Sequence, residues 1–245
     1  MPGKRERRRK TLIVGLGRTG LSCARYLATR GVASAVTDSR EHPPGLDQLR
    51  AELPDTALFL GHFDPSVFAA AERLIVSPGV SIREPLIREV ASQGIPVLGD
   101  IELFAQVVKA PVAVITGSNG KSTVTSLLGE MARAAGRKVK VGGNLGEPAL
   151  DLLSEGTELY LLELSSFQLE IMTIAPQVAA ILNITPNHLD RHLTMEAYTN
   201  AKAQILHRQT ENDVAILGRD DPGTWGLAKF VRGGLVTFGT SKPSR

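Results

Sequence analysis

The stretch Val112–Thr123, VAVITGSNGKST, places an apolar strand directly before a glycine-containing loop that ends in Lys121 and Ser122. Gly117 and Gly120 allow backbone N–H groups to face an anion, and the positive end of a following helix would assist them. The pattern predicts a loop that binds the phosphates of ATP or GTP, with the Ser122 hydroxyl as a Mg²⁺ ligand. The predicted ATP contacts are Gly117, Ser118, Asn119, Gly120, Lys121, Ser122 and Thr123.

The loop departs at one position from the pattern G-x-x-x-x-G-K-[ST], because Ile115 stands where that pattern has its first glycine. The residues after the loop nevertheless follow a helical pattern that closes at Gly136. Apolar residues recur there at Val124, Leu127, Leu128, Met131, Ala132 and Ala135. A plain turn between two core elements is the alternative. The order of strand, loop and helix favours a variant phosphate loop.

The net charge of +3 arises from the amino terminus. Residues 1–10 hold six basic residues and one acidic residue, whereas the rest of the chain holds 22 basic and 24 acidic residues. The charge of the folded body therefore gives no support to a nucleic-acid or membrane partner. We expect residues 1–10 to form a disordered basic arm.

The only cysteine, Cys23, excludes an internal disulfide, which suits a reducing compartment. The apolar run nearest the amino terminus, residues 11–14, is too short for a signal-peptide core or a membrane span. The hydrophobic content of 42% is sufficient for a buried core. These features predict a globular cytoplasmic protein.

Short apolar runs alternate with helical patterns, as is typical of parallel α/β folds. Strands are predicted near residues 11–14, 33–37, 57–60, 74–76, 96–98, 112–116, 139–141, 159–164, 178–183, 214–217 and 235–238. Helices among the first five strands are predicted near 19–30, 65–72 and 84–93. Pro96, Gly99 and Pro111 place a domain boundary near residue 98, followed by a connecting helix over 100–109. We therefore expect one domain over residues 11–98 and a second over residues 99–245.

The first domain has a glycine motif of its own, Gly15–Gly20 (GLGRTG), which fits G-x-G-x-x-G between a strand and a helix. Asp38 ends the next strand. Such a turn accepts a diphosphate, and the carboxylate can serve a ribose. NAD and UDP both carry these groups, so the motif does not choose between them, and a turn without any ligand is a further alternative. Arg18, Thr19 and Arg40 are candidate donors.

The second domain has a carboxylate near the end of an apolar strand, Glu163 in LYLLEL over residues 159–164. Ligands of open parallel sheets bind at the carboxyl ends of strands. A Mg²⁺ ion carried by a nucleotide on the Lys121 loop would relieve the cost of burying this charge. The alternative is that Glu163 lies exposed at a frayed strand end.

A second polar cluster, NITPNHLDRH over residues 183–192, also follows an apolar strand. His188 and His192 have a spacing that zinc sites use, but no third ligand is evident, and zinc is disfavoured. Asp190 and Arg191 are interpreted as part of a solvated or phosphate-facing loop.

Taken together, these segments resemble the Mur ligase family of cell-wall synthesis. The resemblance spans nearly all of the chain after the basic arm. It rests on GLGRTGLSC (15–23), SPG (77–79), TGSNGKST (116–123), GGN (142–144), ELSSFQLE (163–170), NITPNHLDRH (183–192) and AK (201–202). The segment ELSSFQLE favours the branch that adds D-glutamate. The fold implied is a Rossmann-like parallel-sheet domain that binds UDP, followed by an incomplete central α/β domain of the P-loop ATPase type that binds ATP.

The resemblance implies ATP-dependent amide formation in peptidoglycan precursor synthesis. The carboxylate of UDP-N-acetylmuramoyl-L-alanine takes the γ-phosphoryl group, and the amine of D-glutamate attacks the acyl phosphate. Lys121 would stabilise the transferred group, with Ser122 and Glu163 on one Mg²⁺. A carbamylated lysine of the family corresponds to Lys202, which with His188 would hold a second Mg²⁺.

The resemblance also assigns substrate contacts. The contacts to the muramoyl-alanine part are Asn144, Ser165, Gln168 and His188. Asn144 is also implied to be a catalytic residue. The contacts to the UDP end are Arg18, Thr19, Gly20, Asp38, Ser39, Arg40, Ser77 and Gly79. We expect a monomer that binds neither nucleic acid nor membrane.

Two departures from the family pattern concern metal affinity and length. Asn187 replaces an aspartate that usually precedes the histidine, which removes one negative charge near the second Mg²⁺. Family members also carry a third domain that this sequence does not include, so we expect the chain alone to lack turnover. A non-catalytic nucleotide-sugar-binding module and, less favoured, a nicotinamide-dependent oxidoreductase are the alternatives.

Overall fold

The computed structural model describes residues 11–173 and 175–242, so the predicted basic arm lies outside the described residues. The chain divides into two compact units, Met1–Asp100 and Ile101–Arg245. Each unit is built around its own parallel sheet. None of the helices among the described residues has the length and apolarity that a bilayer crossing requires.

The first unit is a five-stranded sheet with the strand order β3-β2-β1-β4-β5, in which every pair is parallel. Its elements are β1 (Thr11–Val14), α1 (Arg18–Thr29), β2 (Ser34–Asp38), α2 (Leu46–Glu52), β3 (Ala57–Leu60), α3 (Pro65–Ala69), β4 (Arg73–Val76), α4 (Pro85–Ser92) and β5 (Val97–Leu98). All four residues of β1 are buried, because this strand lies at the centre of the sheet. One side of the core consists of Leu12, Val14, Phe68, Ala71, Leu74, Val76, Ile87 and Val90.

The second unit is a six-stranded parallel sheet with the order β11-β10-β9-β6-β8-β7. Its strands are β6 (Val112–Thr116), β7 (Val139–Gly143), β8 (Leu159–Glu163), β9 (Val178–Ile181), β10 (Val214–Gly218) and β11 (Gly234–Phe238). Its helices are α5 (Asp100–Ala105), which begins at the end of the first unit, α6 (Lys121–Ala134), α7 (Ser166–Leu169), α8 (Leu189–His192), α9 (Met195–His207) and α10 (Pro222–Trp225). Two short 3₁₀ helices cover Ala149–Leu152 and Ala228–Phe230.

The predicted α/β fold class is confirmed, and each predicted strand is present with ends that differ by no more than two residues. The connecting helix is shorter than predicted, because α5 ends at Ala105 rather than near residue 109. After Ala105 the Val107 N–H donates to Phe104 O, three residues back, which is a tighter turn than that of an α-helix. Pro111 follows a few residues later. The prediction for residues 65–72 was also too long, since α3 ends at Ala69.

The helix after the phosphate loop is present, but its apolar residues are not its buried ones. Leu127 and Met131 are each 58% exposed, whereas Thr125 and Gly129 face the sheet. A methyl group on Gly129 would stand 2.7 Å from Val141 Cγ2, so this position admits no larger residue without movement. The pattern of apolar residues therefore predicted the helix correctly without identifying the face that packs on the sheet.

Candidate nucleotide and substrate sites

The glycine loop of the first unit, residues 15–20, connects the carboxyl end of β1 to α1. Gly15 has a φ of +95°, a conformation that favours glycine. A methyl group on Gly20 would lie 2.0 Å from Gly15 O, so α1 can approach the loop only because this residue lacks a side chain. The loop leaves Arg18 exposed and Thr19 half-buried at the first turn of the helix.

Ser77 lies beside this loop because β4 pairs with β1 and ends next to it. Its buried hydroxyl donates a 2.7 Å hydrogen bond to Gly15 O. Gly79 follows on the exposed surface. Three adjacent strand ends, those of β2, β1 and β4, therefore bring the predicted UDP contacts to one edge of the sheet.

Asp38 ends β2 and is 2% exposed. Its Oδ2 accepts the Leu16 N–H at 2.7 Å and an Arg40 guanidinium N–H at 2.7 Å, and its Oδ1 accepts the backbone N–H and Nε of Arg40. Burial raises the pKa of Asp38, but the hydrogen bonds from Arg40 and Leu16 outweigh this effect and place the pKa below 3.8. These four bonds occupy the acceptor positions that a carboxylate offers. Ser39 and Arg40 follow on the exposed surface.

The phosphate loop of the second unit connects β6 to α6. Gly120 caps α6 with a φ of +79°, which is favourable for glycine. The Lys121 ammonium folds back and donates to Ser118 O at 3.1 Å. Asn119, Ser122 and Thr123 are exposed, so this loop presents its polar groups to solvent at the start of a 14-residue helix.

The phosphate loop is held by the segment that follows β9. Asn119 N–H donates to Asn183 Oδ1 at 2.8 Å, and the Asn183 amide donates back to Asn119 O at 3.1 Å. The Ser118 hydroxyl donates to Thr185 O at 2.9 Å and lies 3.0 Å from the Tyr198 hydroxyl. Sequence analysis missed the roles of Asn183, Thr185 and Tyr198, because their partners lie 64 to 80 residues away in the chain.

Glu163 is 2% exposed at the end of β8, so the interpretation of a frayed, exposed carboxylate is wrong. Its Oε2 accepts the Ser122 hydroxyl at 2.7 Å, and its Oε1 accepts the Asn144 amide at 2.9 Å. Asn144 reaches this position because β7 and β8 pair in parallel with Gly143 opposite Glu163, and the Asn144 N–H donates to Glu163 O at 2.8 Å. Gly143 has a φ of +98°, and a methyl group on it would stand 2.5 Å from Glu163 O.

Lys202 lies on α9 and is 1% exposed. Its Nζ donates to Gly117 O at 2.8 Å and to Thr116 Oγ1 at 3.3 Å, so the amine is directed to the phosphate loop. Burial is the main cause that lowers the pKa of Lys202 from its ordinary 10.5 to about 7, and the nearby Lys121 charge lowers it further while Glu163 opposes the shift. Near neutral pH the neutral fraction of this amine is therefore far larger than that of an exposed lysine.

His188 is exposed and adopts a left-handed backbone conformation with a φ of +52°, as the residue that caps α8. The interpretation of Asp190 and Arg191 as a loop was wrong, because His192 N–H bonds to His188 O at 3.0 Å and closes a helical turn. The Arg191 guanidinium lies 4.1 Å from the centre of the Phe167 ring rather than toward the phosphate loop.

The two histidines of this segment have separate surroundings. The His192 ring is buried, with Nε2 2.9 Å from Ser166 Oγ and Nδ1 3.2 Å from Glu170 Oε1. Within the described ranges, no group of three or more His, Cys, Asp or Glu side chains is arranged to hold a metal ion. Any metal site that uses His188 or Glu163 therefore needs ligands of another kind.

Ser165 and Gln168 form a capping box at the start of α7. The Ser165 hydroxyl accepts the Gln168 N–H at 3.2 Å, and Gln168 Oε1 accepts the Ser165 N–H at 3.1 Å. The spacing S-x-x-Q is a known signal of this cap. Sequence analysis assigned both residues to substrate binding, and the structure shows in addition that they fix the first turn of α7 directly after Glu163 and Leu164.

A family profile described as Mur ligase middle domain matches residues 115–245, which is more than half of the chain. The chain belongs to the Mur ligase family. The profile described as Mur ligase MurD-like, N-terminal domain, matches residues 9–99 of this Mur ligase chain. The match over residues 9–99 contains the glycine loop, and the match over residues 115–245 contains the phosphate loop.

Curated relatives of this Mur ligase chain bear the name UDP-N-acetylmuramoylalanine–D-glutamate ligase. The protein of Marinobacter nauticus is 55% identical over 214 residues, which are 87% of this chain and 47% of that protein. The protein of Nitrosococcus oceani is 59% identical over 197 residues, which are 80% of this chain and 44% of that protein. The chain thus spans about half the length of the curated relatives it matches.

Solved structures of other Mur ligases share the fold. The ligase for UDP-N-acetylmuramate and L-alanyl-γ-D-glutamyl-meso-diaminopimelate from Neisseria meningitides matches 95% of this Mur ligase chain with a TM-score of 0.64 at 16% identity, over 78% of that chain. The UDP-N-acetylmuramate–alanine ligase of Thermotoga maritima matches 95% with a TM-score of 0.55 at 20% identity, over 53% of that chain.

Proposed function

We propose that this chain is the nucleotide-binding part of a ligase that joins D-glutamate to UDP-N-acetylmuramoyl-L-alanine at the expense of ATP, in cytoplasmic peptidoglycan precursor synthesis. It acts as a monomer in this proposal. The observation that carries the proposal is the buried Glu163 carboxylate, bonded to Ser122 of the phosphate loop and to Asn144. The names of the relatives support the choice of substrates.

The residues around Glu163 fit a Mg²⁺ ion. The carboxylate accepts two bonds from neutral donors, and no ion pair joins it to a lysine or arginine among the described residues. A buried carboxylate without a cation is costly, and Mg²⁺ prefers such oxygen ligands. Ser122 and Glu163 would hold this ion, which would neutralise charge on the β- and γ-phosphates.

The side chains of the phosphate loop supply binding and charge stabilisation. The Lys121 ammonium now lies on Ser118 O and is free to turn toward a γ-phosphoryl group. That group moves to the carboxylate of the muramoyl-alanine substrate, and the D-glutamate amine then displaces phosphate from the resulting acyl phosphate. Because negative charge builds up on the transferred group, the fixed positive charge of Lys121 acts mainly on the transition state.

Lys202 is proposed to carry a carbamate formed from its neutral amine and CO₂, with release of one proton. The lowered pKa of about 7 favours this reaction, because only the neutral amine is nucleophilic. The carbamate and His188 would hold a second Mg²⁺. This proposal agrees with the finding that Glu, Asp, His and Cys alone form no three-ligand cluster in the described part of the chain.

The first unit is proposed to hold the UDP end of the substrate over residues 11–98, while residues 99–245 hold ATP. The glycine loop and Thr19 receive the diphosphate, with Arg18, Ser39 and Arg40 as exposed donors. Asn144 and His188 are proposed contacts of the muramoyl-alanine part, together with Ser165 and Gln168. The Asp38 carboxylate is already bonded to Leu16 and Arg40, so we propose that it serves the UDP end through the glycine loop and Arg40, which it holds in place.

The test is calorimetric titration of the purified chain with two ligands, UDP-N-acetylmuramoyl-L-alanine and Mg²⁺·ADP. We expect both to bind at separate sites. Lys121→Ala should abolish the Mg²⁺·ADP heat without altering substrate binding, and Lys140→Ala, an exposed lysine on β7, is the matched control. Substrate binding without any Mg²⁺·ADP binding would instead support the non-catalytic nucleotide-sugar module. No binding of either ligand by a folded chain would overturn the proposal.

A further inference from the structure

His192 is a buried histidine to which the proposed chemistry assigns no role. It is 1% exposed and lies between two helices, with Nε2 2.9 Å from the Ser166 hydroxyl on α7. Its Nδ1 lies 3.2 Å from Oε1 of Glu170, the residue that ends α7. The hydrogen bond between Nε2 and Ser166 orients the ring, and the Glu170 carboxylate lies beside Nδ1 at ion-pair distance without hydrogen-bond geometry.

The order carboxylate, imidazole, hydroxyl is also that of a hydrolytic triad. Such a triad needs a serine oxygen that a substrate carbonyl can approach, together with an oxyanion hole. Ser166 is only 2% exposed, and its hydroxyl lies inside the unit against His192. Burial therefore excludes a nucleophilic role for Ser166 and leaves orientation of the imidazole ring as the function of the arrangement.

The oriented ring contacts two aromatic residues. It stacks on Phe167 with a centroid distance of 5.2 Å and an interplanar angle of 9°. It also lies 5.2 Å from the Tyr198 ring on α9. Phe167 in turn meets the His188 ring edge-on at 5.1 Å, and the Arg191 guanidinium lies 4.1 Å from the Phe167 ring. His192 thus connects α7 to α9 and, through Phe167, to His188.

Tyr198 extends the connection to the phosphate loop. Its hydroxyl lies 3.0 Å from the Ser118 hydroxyl, and Lys202 Nζ lies 4.7 Å from the centre of its ring. Tyr198 is 1% exposed, so its ring has little room to move independently of these neighbours. A displacement of the His192 ring would therefore be transmitted to both Ser118 and Lys202.

We propose that His192 is a positioning residue of the ATP site, which is held by Ser166 and Glu170 and sets the place of Tyr198, and thereby of Ser118 and Lys202. His192 touches neither substrate nor nucleotide in this assignment. The inference rests on the proposed function for its consequence in ATP binding, but the positioning of Tyr198 can be measured in the chain without any ligand.

The first experiment is NMR of the chain labelled with ¹³C at the tyrosine Cζ, in which Tyr198→Phe assigns one of the three tyrosine signals. His192→Phe keeps a ring but loses both nitrogens, and Ser166→Ala removes only one partner. Both variants should shift the Tyr198 signal, and the double variant should resemble His192→Phe alone because the residues act in series. His207→Phe is the control, since His207 lies on α9, the helix that carries Tyr198, and contacts Phe230 instead. A Tyr198 signal that stays in place in both single variants overturns the inference.

The second experiment is calorimetry of Mg²⁺·ADP with the same variants. We expect Ser166→Ala and His192→Phe to weaken binding by about tenfold, the factor that corresponds to roughly 1.4 kcal/mol, while His207→Phe retains wild-type affinity. A shifted Tyr198 signal with unchanged affinity would contradict the link to the ATP site. If the wild-type chain itself binds no Mg²⁺·ADP, the proposed function fails, and the tyrosine signal still decides whether His192 positions Tyr198.

Discussion

Asp38 and Glu163 occupy equivalent places in the two units, yet their surroundings differ. Each carboxylate is 2% exposed at the end of a parallel strand beside a glycine-containing loop. Asp38 accepts four hydrogen bonds, three of them from Arg40, whose guanidinium also balances its charge. Glu163 accepts two bonds, from the Ser122 hydroxyl and the Asn144 amide, and both donors are neutral.

The difference separates a structural carboxylate from a candidate ligand. Asp38 is satisfied by its own unit and fixes the Leu16 N–H in the glycine loop. Glu163 retains acceptor capacity and has no direct ion pair among the described residues, although the Lys202 amine lies near enough to feel its charge, so a bound cation would find an oxygen ligand there. Position at the edge of a parallel sheet therefore does not by itself identify a functional carboxylate. The charge of the groups that bond to a carboxylate is what distinguishes the two cases.

The largest effect on stability is expected from a substitution of Gly143, whose backbone lies against that of Glu163. Gly143→Ala would force a methyl group to within 2.5 Å of Glu163 O at a φ of +98°, and we expect a loss of about 3 kcal/mol of stability. Gly146→Ala is the matched control, because its φ of +63° is unfavourable but no atom lies within 4 Å, so the cost should be about 1 kcal/mol. Urea denaturation followed by the fluorescence of Trp225, the only tryptophan, reports on the second unit. Equal losses in both variants would contradict the close approach of Gly143 to Glu163 O where β7 pairs with β8.

Asp38→Asn should destabilise the first unit by about 2 kcal/mol, because it removes charge-assisted bonds at a buried site. Since the pKa of Asp38 lies below 3.8, its contribution is present above that value and is lost as the pH falls through the lower pKa of the folded state. The measurement is unfolding of wild type and variant from neutral into acid pH, followed by hydrogen exchange of the Leu16 amide. A variant with the same acid sensitivity as wild type would show that Asp38 is not the group responsible.

The smallest effect is expected when the proposed carbamate on Lys202 is lost. Removal of dissolved CO₂ should weaken Mg²⁺·ADP binding by about fivefold, which corresponds to roughly 1 kcal/mol. At a fixed CO₂ concentration, the carbamate should increase as the pH rises through about 7, because the lowered pKa of Lys202 releases the neutral amine there instead of near 10.5. NMR with ¹³CO₂ detects the carbamate directly, and Lys202→Met should show neither the signal nor the CO₂ dependence. An identical signal in Lys202→Met would assign the carbamate to another group.

The strands, the glycine loop and the phosphate loop could be predicted from the sequence, because their signals are local. Alternation of apolar runs fixes the parallel sheets, and glycine spacing marks the loops. The surroundings of these loops could not be predicted in this way. Ser118 and Tyr198 are 80 residues apart, and only the packing of α9 against the sheet brings them together.

Other predictions were wrong because they depended on which side chains pack together, which a sequence pattern does not show. The apolar residues Leu127 and Met131 predicted α6 correctly, but a glycine and a threonine form its packed face. Asp190 and Arg191 were interpreted as part of a solvated or phosphate-facing loop, whereas they lie on α8 and the Arg191 guanidinium packs on the Phe167 ring. The capping box of Ser165 and Gln168 had a recognisable spacing and could have been predicted.

The central claim, that Glu163 and not Asp38 serves a bound cation, is tested most directly by calorimetric titration of Mg²⁺·ADP into wild type, Glu163→Gln and Asp38→Asn. We predict that Glu163→Gln weakens binding by about a hundredfold, because a charged Mg²⁺ ligand is lost. Asp38→Asn should retain wild-type affinity. Wild-type affinity in Glu163→Gln, or an equal loss in Asp38→Asn, would contradict the distinction between the two carboxylates.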